Sequence, residues 1–426
     1  MGLIHRILHI EAIGRPQWIA GGLLLVYLLQ CAWLIRAQTL HGFLPESDHA
    51  LCIYSGLAQW KGGAIAGTPE ALRAEAVTGL PSAGRAGHLR VRDGYEVDRS
   101  PYYYLVAAAP VLVQPPTVAV DSTRGQIWES APYLFFGVML GASLWYVSRR
   151  LYGNVGGYIA LTLYCFSPGV ILATAGTQNF GEMSGVWGAF GIVFTGIAVA
   201  HTLYAPREVV LWNWRRILLL GLSVALAVGT QFSLVVVAGV VLPIMLWVAP
   251  VRARAVVAIW AAAIAVGAVL LGAAYFFRLG LFWEAMRRAR WIDVEPHAFG
   301  MMASYSQALK TLAAHCPALM LALPAALIAY LGWKRARYFG NTAPLLMSTL
   351  LFVLAVASPD FAGQGFHLAM LVFLFVFVAG VFADLVETRQ GIFVTAGVAS
   401  LLAAAGLWNV AQLLRKRVFV FINILL

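Results

Sequence analysis

The chain is punctuated by a succession of apolar stretches, nearly empty of ionisable side chains, each near the ~20 residues that cross a ~30 Å hydrocarbon core. They fall at about 17–35, 130–148, 154–175, 184–203, 217–232, 234–249, 256–276, 316–333, 342–357, 366–383 and 391–411. This pattern predicts an all-α polytopic membrane protein of about eleven transmembrane helices. Composition points the same way. Of 426 residues, 61% are hydrophobic and 11% charged, whereas a soluble domain is about 45–50% apolar and about 25% charged.

The net charge of +11 does not indicate nucleic acid, because the basic residues are scattered in short loops between apolar runs. That is the signature of positive-inside topology. With the N-terminus inside, Arg149-Arg150, Arg207 with Arg215-Arg216, Arg252 with Arg254, and Lys334-Arg335-Arg337 all fall on the cytoplasmic side. Arg415-Lys416-Arg417 falls outside, against the rule. The outer face then carries the first loop, 37–129, and the segments 176–183, 277–313 and 358–365. Residues 1–16 form a basic amphipathic lead-in, and the first span is a retained anchor with no small-x-small cleavage site after it. A first loop of about 90 residues is far longer than usual connections and is expected to be functional. No internal repeat and no separate soluble domain is visible, so residues 1–426 read as a single transmembrane domain. The four cysteines are far apart, without a C-x-x-C pair, and are expected to be packed thiols rather than disulfides or a zinc site.

The stretch from Phe43 to Gly63 has helix punctuation at both ends. Pro45 to Asp48 supply start signals, and Lys61 with Gly62-Gly63 stops it. Ala50, Ile53, Tyr54, Leu57 and Trp60 make one apolar stripe, with Asp48, Cys52, Ser55 and Gln59 opposite. A short helix of this kind lies in the membrane interface. A second interfacial or re-entrant helix is expected after Asp98-Arg99-Ser100-Pro101-Tyr102-Tyr103-Tyr104-Leu105, in the stretch that runs to Val120.

The spans hold almost no ionisable residues, whereas coupled transporters keep such groups near the midplane. Candidate chemistry therefore lies in the outer loops. Asp48, flanked by Glu46 and His49, is either a helix N-cap or a carboxylate fixed to take a proton from an acceptor hydroxyl. Thr177-Gln178-Asn179-Phe180-Gly181-Glu182 is either an ordinary polar turn or the source of a second carboxylate that joins Asp48 in holding a cation or an acceptor. Arg99 and the loop arginines Arg278, Arg287, Arg288 and Arg290 either snorkel to head groups or contact a lipid phosphate. Asp360, Gln364 and His367 are either interfacial groups or part of the site.

Taken in order, these segments resemble the GT-C glycosyltransferases, which include the protein O-mannosyltransferases and the lipid A aminoarabinose transferases. Asp48 to Gly63 is similar to the D-E-a-x-Y-x-x-x-A-x-x-l-x-x-G-G/D stretch of that superfamily, and Asp98 to Leu105 to its K-P-P-L-x-Y-x-L segment. Ser167-Pro168 followed by Glu182, the run Leu219 to Gln231, and Gly365-Phe366-His367-Leu368-Ala369-Met370 are similar to later family segments. His49, Arg99, Glu182, Gln231 and His367 depart from the commoner residues, and the large periplasmic domain of some relatives is missing.

The resemblance implies a GT-C fold with juxtamembrane helices in the first outer loop. It also implies a bacterial cytoplasmic membrane location and an active site facing the periplasm. The activity implied is inverting transfer from a polyprenyl-phosphate sugar to a lipid, glycan or protein. Asp48 and Glu182 would be catalytic. Glu46, His49, Arg99, Tyr102, Asn179, Arg278, Arg287, Arg288, Arg290 and His367 would bind substrate. A divalent metal ion (Mg, Mn or Zn) would lie between Asp48 and Glu182 if the site uses one. Two alternatives remain open at this stage: an O-antigen ligase or polymerase-like enzyme, and a non-enzymatic flippase or transporter of lipid-linked sugar.

Overall fold

A computed structural model describes residues 16–39, 48–60, 91–92, 95–96, 98–114, 123–175, 182–204, 214–292, 294–357, 365–389 and 391–425. The chain is an all-α, multi-pass membrane protein. In order, the helices are α1 (Pro16–Thr39), α2 (Asp48–Trp60), α3 (Pro101–Leu112), α4 (Thr123–Glu129), α5 (Ala131–Cys165), α6 (Pro168–Ala175), α7 (Glu182–Thr202) and α8 (Trp214–Thr230). They continue with α9 (Val235–Val248), α10 (Ala253–Ala274), α11 (Leu279–Arg288), α12 (Met302–His315), α13 (Leu319–Gly332), α14 (Phe339–Ala357), α15 (Gly365–Arg389) and α16 (Ile392–Leu425). Among the described residues the strands are a two-residue hairpin, β1 (Val91–Arg92) with β2 (Tyr95–Glu96).

Seven helices are long and apolar enough to cross a membrane, or eight if the bent pair Met302–His315 and Leu319–Gly332 makes one crossing. The sequence expectation of about eleven is corrected accordingly, for two physical reasons. The run at 154–175 does not form one continuous helix. Within α5 two helices meet at a kink at Tyr152 and Gly153 (φ 71°), the second ends at Cys165, and α6 takes up Pro168–Ala175, so neither piece reaches across a ~30 Å core. The runs at 217–232 and 234–249 form helices of 17 and 14 residues, α8 and α9, and at 1.5 Å per residue each falls short of a ~30 Å core.

The bundle is built around α15. Of its most apolar stretch 89% is buried, against 11% for α16. A helix apolar on every side is at home in the middle of a bundle, and α15 packs against α14, α5 and α7. Phe190 and Phe194 of α7 stack on Phe373 of α15 at 6.1 and 6.0 Å. His201 at the end of α7 meets Phe339 at the start of α14, where Asn341 donates to Asp384 near the end of α15, so α7 and α15 run parallel and begin at the same end of the bundle. Small residues bring the other helices together. A β-carbon on Gly188 of α7 would sit 2.5 Å from the Ala227 nitrogen of α8. The four cysteines are buried as free thiols.

Close approach of this kind leaves no room for a branched side chain, and overpacking costs about 1–3 kcal/mol. Gly188→Val is therefore expected to lower the thermal unfolding temperature of the detergent-solubilised protein measurably. An unchanged temperature would show that the α7–α8 contact is looser than described.

Candidate functional site

The polar groups of interest gather where α2, α3 and α4 meet the starts of α5 and α7 and the end of α8. The segment that seats them is Asp98 to Tyr102. Ser100 caps α3, its side chain accepting a hydrogen bond from the Tyr102 backbone N–H at 3.3 Å. The same serine donates from its backbone N–H (3.2 Å) and its hydroxyl (2.7 Å) to the Gly229 carbonyl, in the last turn of α8. The Phe232 N–H donates to the Asp98 carbonyl at 3.0 Å. One serine thus satisfies a helix start and a helix end together, and Pro101 at the first turn suits the start because it carries no N–H to satisfy.

This seating turns Arg99 toward α7. Its guanidinium lies 3.9 Å from a carboxylate oxygen of Glu182, which opens α7 and is 3% exposed. At that distance the atom pair attracts as charges without a hydrogen bond. The guanidinium also lies over the Tyr103 ring, 4.3 Å from its centroid, the geometry of a cation–π contact. The neighbouring Tyr102 hydrogen-bonds Ser184, and burial raises the pKa of its phenol. Ser184 in turn hydrogen-bonds Thr230 at 2.8 Å.

Helix α2 packs against α3. Gly56 allows it, since a β-carbon there would collide with the Tyr104 carbonyl and Ala108. The buried face holds Cys52, Ile53, Gly56 and Gln59, while Trp60 is 43% exposed and donates from its indole N–H to the Leu105 carbonyl at 3.0 Å. The face drawn from the sequence is corrected here. Cys52 and Gln59, expected opposite the apolar stripe, are buried, because the glycine rather than the large apolar residues sets where the helices touch. Asp48 opens α2, one turn before Cys52.

Of the residues expected from sequence, Arg99, Tyr102 and Glu182 are brought together. Asp48 and His49 stand in the first turn of α2. Glu46, Asn179, Asp360 and Gln364 lie outside the described residues. The arginines of the later loop find local partners. Arg288 pairs with Glu284 at 2.7 Å, Arg287 lies 5.3 Å from the Trp283 ring centroid, and Arg278 is exposed at the start of α11. Arg290 is partly buried just beyond α11. That helix follows Phe276 and Phe277, both left-handed at φ 53° and 54°, an unusual conformation for bulky residues. The turn brings Phe276 edge-on to Trp60 at 6.1 Å. His367 meets His315 instead, rings parallel within 8° and 6.3 Å apart, at the end of the bundle where α7 and α15 begin.

Three groups were not singled out from sequence: His315, Ser184 and Glu129. Glu129 closes α4, is 1% exposed, and has no hydrogen-bond partner on either carboxylate oxygen among the described residues. Tyr133, one turn on, is within electrostatic reach of Glu129, Tyr102, Tyr103 and Cys52. The available signal was an acid beside Trp128 at the threshold of a span.

Among the described residues no group of three His, Cys, Asp or Glu side chains could hold a metal ion; the side chain of Asp48, expected as a ligand, lies outside them. In comparisons with family models, curated proteins and solved structures, nothing matches this chain. The class supported is thus an all-α, multi-pass membrane protein with a buried polar cluster at one end of its bundle.

Burial pushes the Glu129 carboxyl up from 4.5 to about 7. A folded state that holds its proton more tightly than the unfolded chain is most favoured below the unfolded value. It loses that advantage as pH rises through the folded one, by up to about 3 kcal/mol. The unfolding temperature of the ligand-free protein is expected to fall between about pH 5 and about pH 8, and Glu129→Gln to flatten that fall. Equal slopes for the two proteins would show that Glu129 ionises normally.

Proposed function

We propose that this protein is an inverting glycosyltransferase of the GT-C type. It would work in a bacterial cytoplasmic membrane and transfer a sugar from a polyprenyl-phosphate donor to a hydroxyl of a lipid, glycan or protein. The observation that supports this most is the contact of Arg99 with Glu182. The resemblance assigns the donor phosphate to one and the second carboxylate to the other, and they come from separate loops to meet beside the helix that Asp48 opens. We take this end of the bundle as the outer face, as the resemblance implies.

In the proposed reaction the acceptor oxygen attacks the anomeric carbon as Asp48 takes its proton, and the bond from that carbon to the phosphate oxygen breaks. One displacement inverts the anomeric centre. Arg99 balances the charge that grows on the departing phosphate, an electrostatic contribution aimed at the transition state. The arginines around α11 add positive potential nearby. Glu182 holds Arg99 in place from one side and Tyr103 supports it from the other. No step is assigned to a metal.

General-base catalysis contributes about 10²- to 10⁴-fold. Asp48→Asn is therefore expected to reduce transfer from radiolabelled polyprenyl-phosphate sugars by that factor while leaving insertion and unfolding temperature unchanged. Near-normal transfer would reject the assignment. Arg99→Ala is expected to weaken binding of undecaprenyl phosphate about tenfold or more, the scale of a lost charge-assisted contact. Unaltered affinity would remove Arg99 from the phosphate site.

A further inference from the structure

Glu129 is the buried acid that the proposed chemistry leaves unused. A buried polar group without a partner costs about 1–3 kcal/mol, so such a group in a folded protein calls for an explanation. It stands at the end of α4, which packs between α1 and α3. Its surroundings lead back to the cluster already described: Tyr133 packs in one cluster with Tyr103, feels the charges of Glu129 and Tyr102, and the Tyr103 ring carries the Arg99 guanidinium. We propose that Glu129, together with the tyrosine hydroxyls gathered around Tyr133, forms a subsite that hydrogen-bonds the hydroxyl groups of a sugar. This rests on the glycosyltransferase reading above, of which it would be the sugar-recognising wall.

The chemistry of the cluster selects this ligand over the alternatives. A cation would want further carboxylates or imidazoles, and no such set is present among the described residues. A phosphate would want a positive charge beside it. Among the described residues there is none beside Glu129 to lower its carboxyl, burial being the one cause of its raised pKa, and Arg99 is given to the donor phosphate. A neutral polyol wants groups that both donate and accept. Tyrosine hydroxyls do so, and a carboxyl does so when it carries its proton, which burial favours for Glu129.

The test uses the full-length protein in lipid nanodiscs, with two kinds of probe. One is undecaprenyl phosphate; the other is a panel of polyprenyl-phosphate-linked glucose, mannose and arabinose. The parent protein is expected to bind at least one sugar-bearing lipid about tenfold or more tightly than the bare phosphate. Glu129→Leu is expected to erase that preference while leaving undecaprenyl phosphate affinity within about twofold, a change small beside the loss of one hydrogen bond. Glu129→Gln, which keeps the shape and can still donate and accept, is expected to retain part of the preference and guards against misfolding of the leucine variant. If both variants keep the full preference, the subsite is overturned while the donor reading stands. If the parent binds none of these lipids, or binds them all alike, the donor reading falls and the subsite with it.

Discussion

In hydrocarbon, an unpaired backbone N–H or C=O has no water to turn to, so every helix end and break must find a partner inside the protein. The ends and bends of this bundle are tied off by side chains that reach across from other elements. Tyr152, at the break in α5, donates its hydroxyl to the Gly340 carbonyl at 2.6 Å. Ser167 donates to the His315 carbonyl at 2.9 Å, where α12 gives way to the bend before α13. Asn409 of α16 accepts from the Ala318 N–H at 2.6 Å on the other side of that bend. The indole of Trp128 donates to the Pro110 carbonyl at 2.7 Å. Ser100 at Gly229 is one more instance of the same solution. It is the one from which the candidate site grows, because Arg99 and Tyr102 flank the serine that is fixed.

The short helices α2 and α3 depend on that anchorage more than on their own composition. Isolated helices of 13 and 12 residues are marginal in water, and neither is long enough to span. What holds them is the tight seam at Gly56, the Trp60 hydrogen bond to α3, and the docking of α3 onto the end of α8. The cluster of Cys52, Ile53, Tyr103, Tyr104, Ala107 and Tyr133 forms a small apolar core of its own beneath them. In the proposed reaction, a general base carried on α2 would be held by these tertiary contacts.

Much of this was legible in the sequence, and the missing part has a common cause. The membrane class followed from the long apolar runs. The start of α2 at Asp48 followed from local punctuation, whereas the interfacial helix expected after Leu105 and up to Val120 begins at Pro101 and ends at Leu112. The number of crossings did not follow, because hydropathy cannot see that the 154–175 run is divided between two short helices or that α9 stops at 14 residues. The buried side of α2 was misread because a glycine has no apolar signal, yet it decides where two backbones can touch. Glu129 and His315 were missed because their neighbours are remote in sequence. His315 lies beside His367 and Ser167, and Tyr133 links Glu129 to a helix that begins before it in the chain. Periodicity is a local measure, and a site of this kind is not local.

The hydrogen bond between Ser100 and Gly229 joins residues 129 positions apart. During synthesis at about 5–20 residues per second, the ribosome needs about 6–26 s to pass from one to the other. Over that interval α1 can already be anchored in the bilayer while the seat for α3 does not yet exist. A nascent chain stalled or clipped before α8 would therefore be inserted yet lack the seat for its polar cluster, and the cell's membrane proteases would meet it with α2 and α3 undocked.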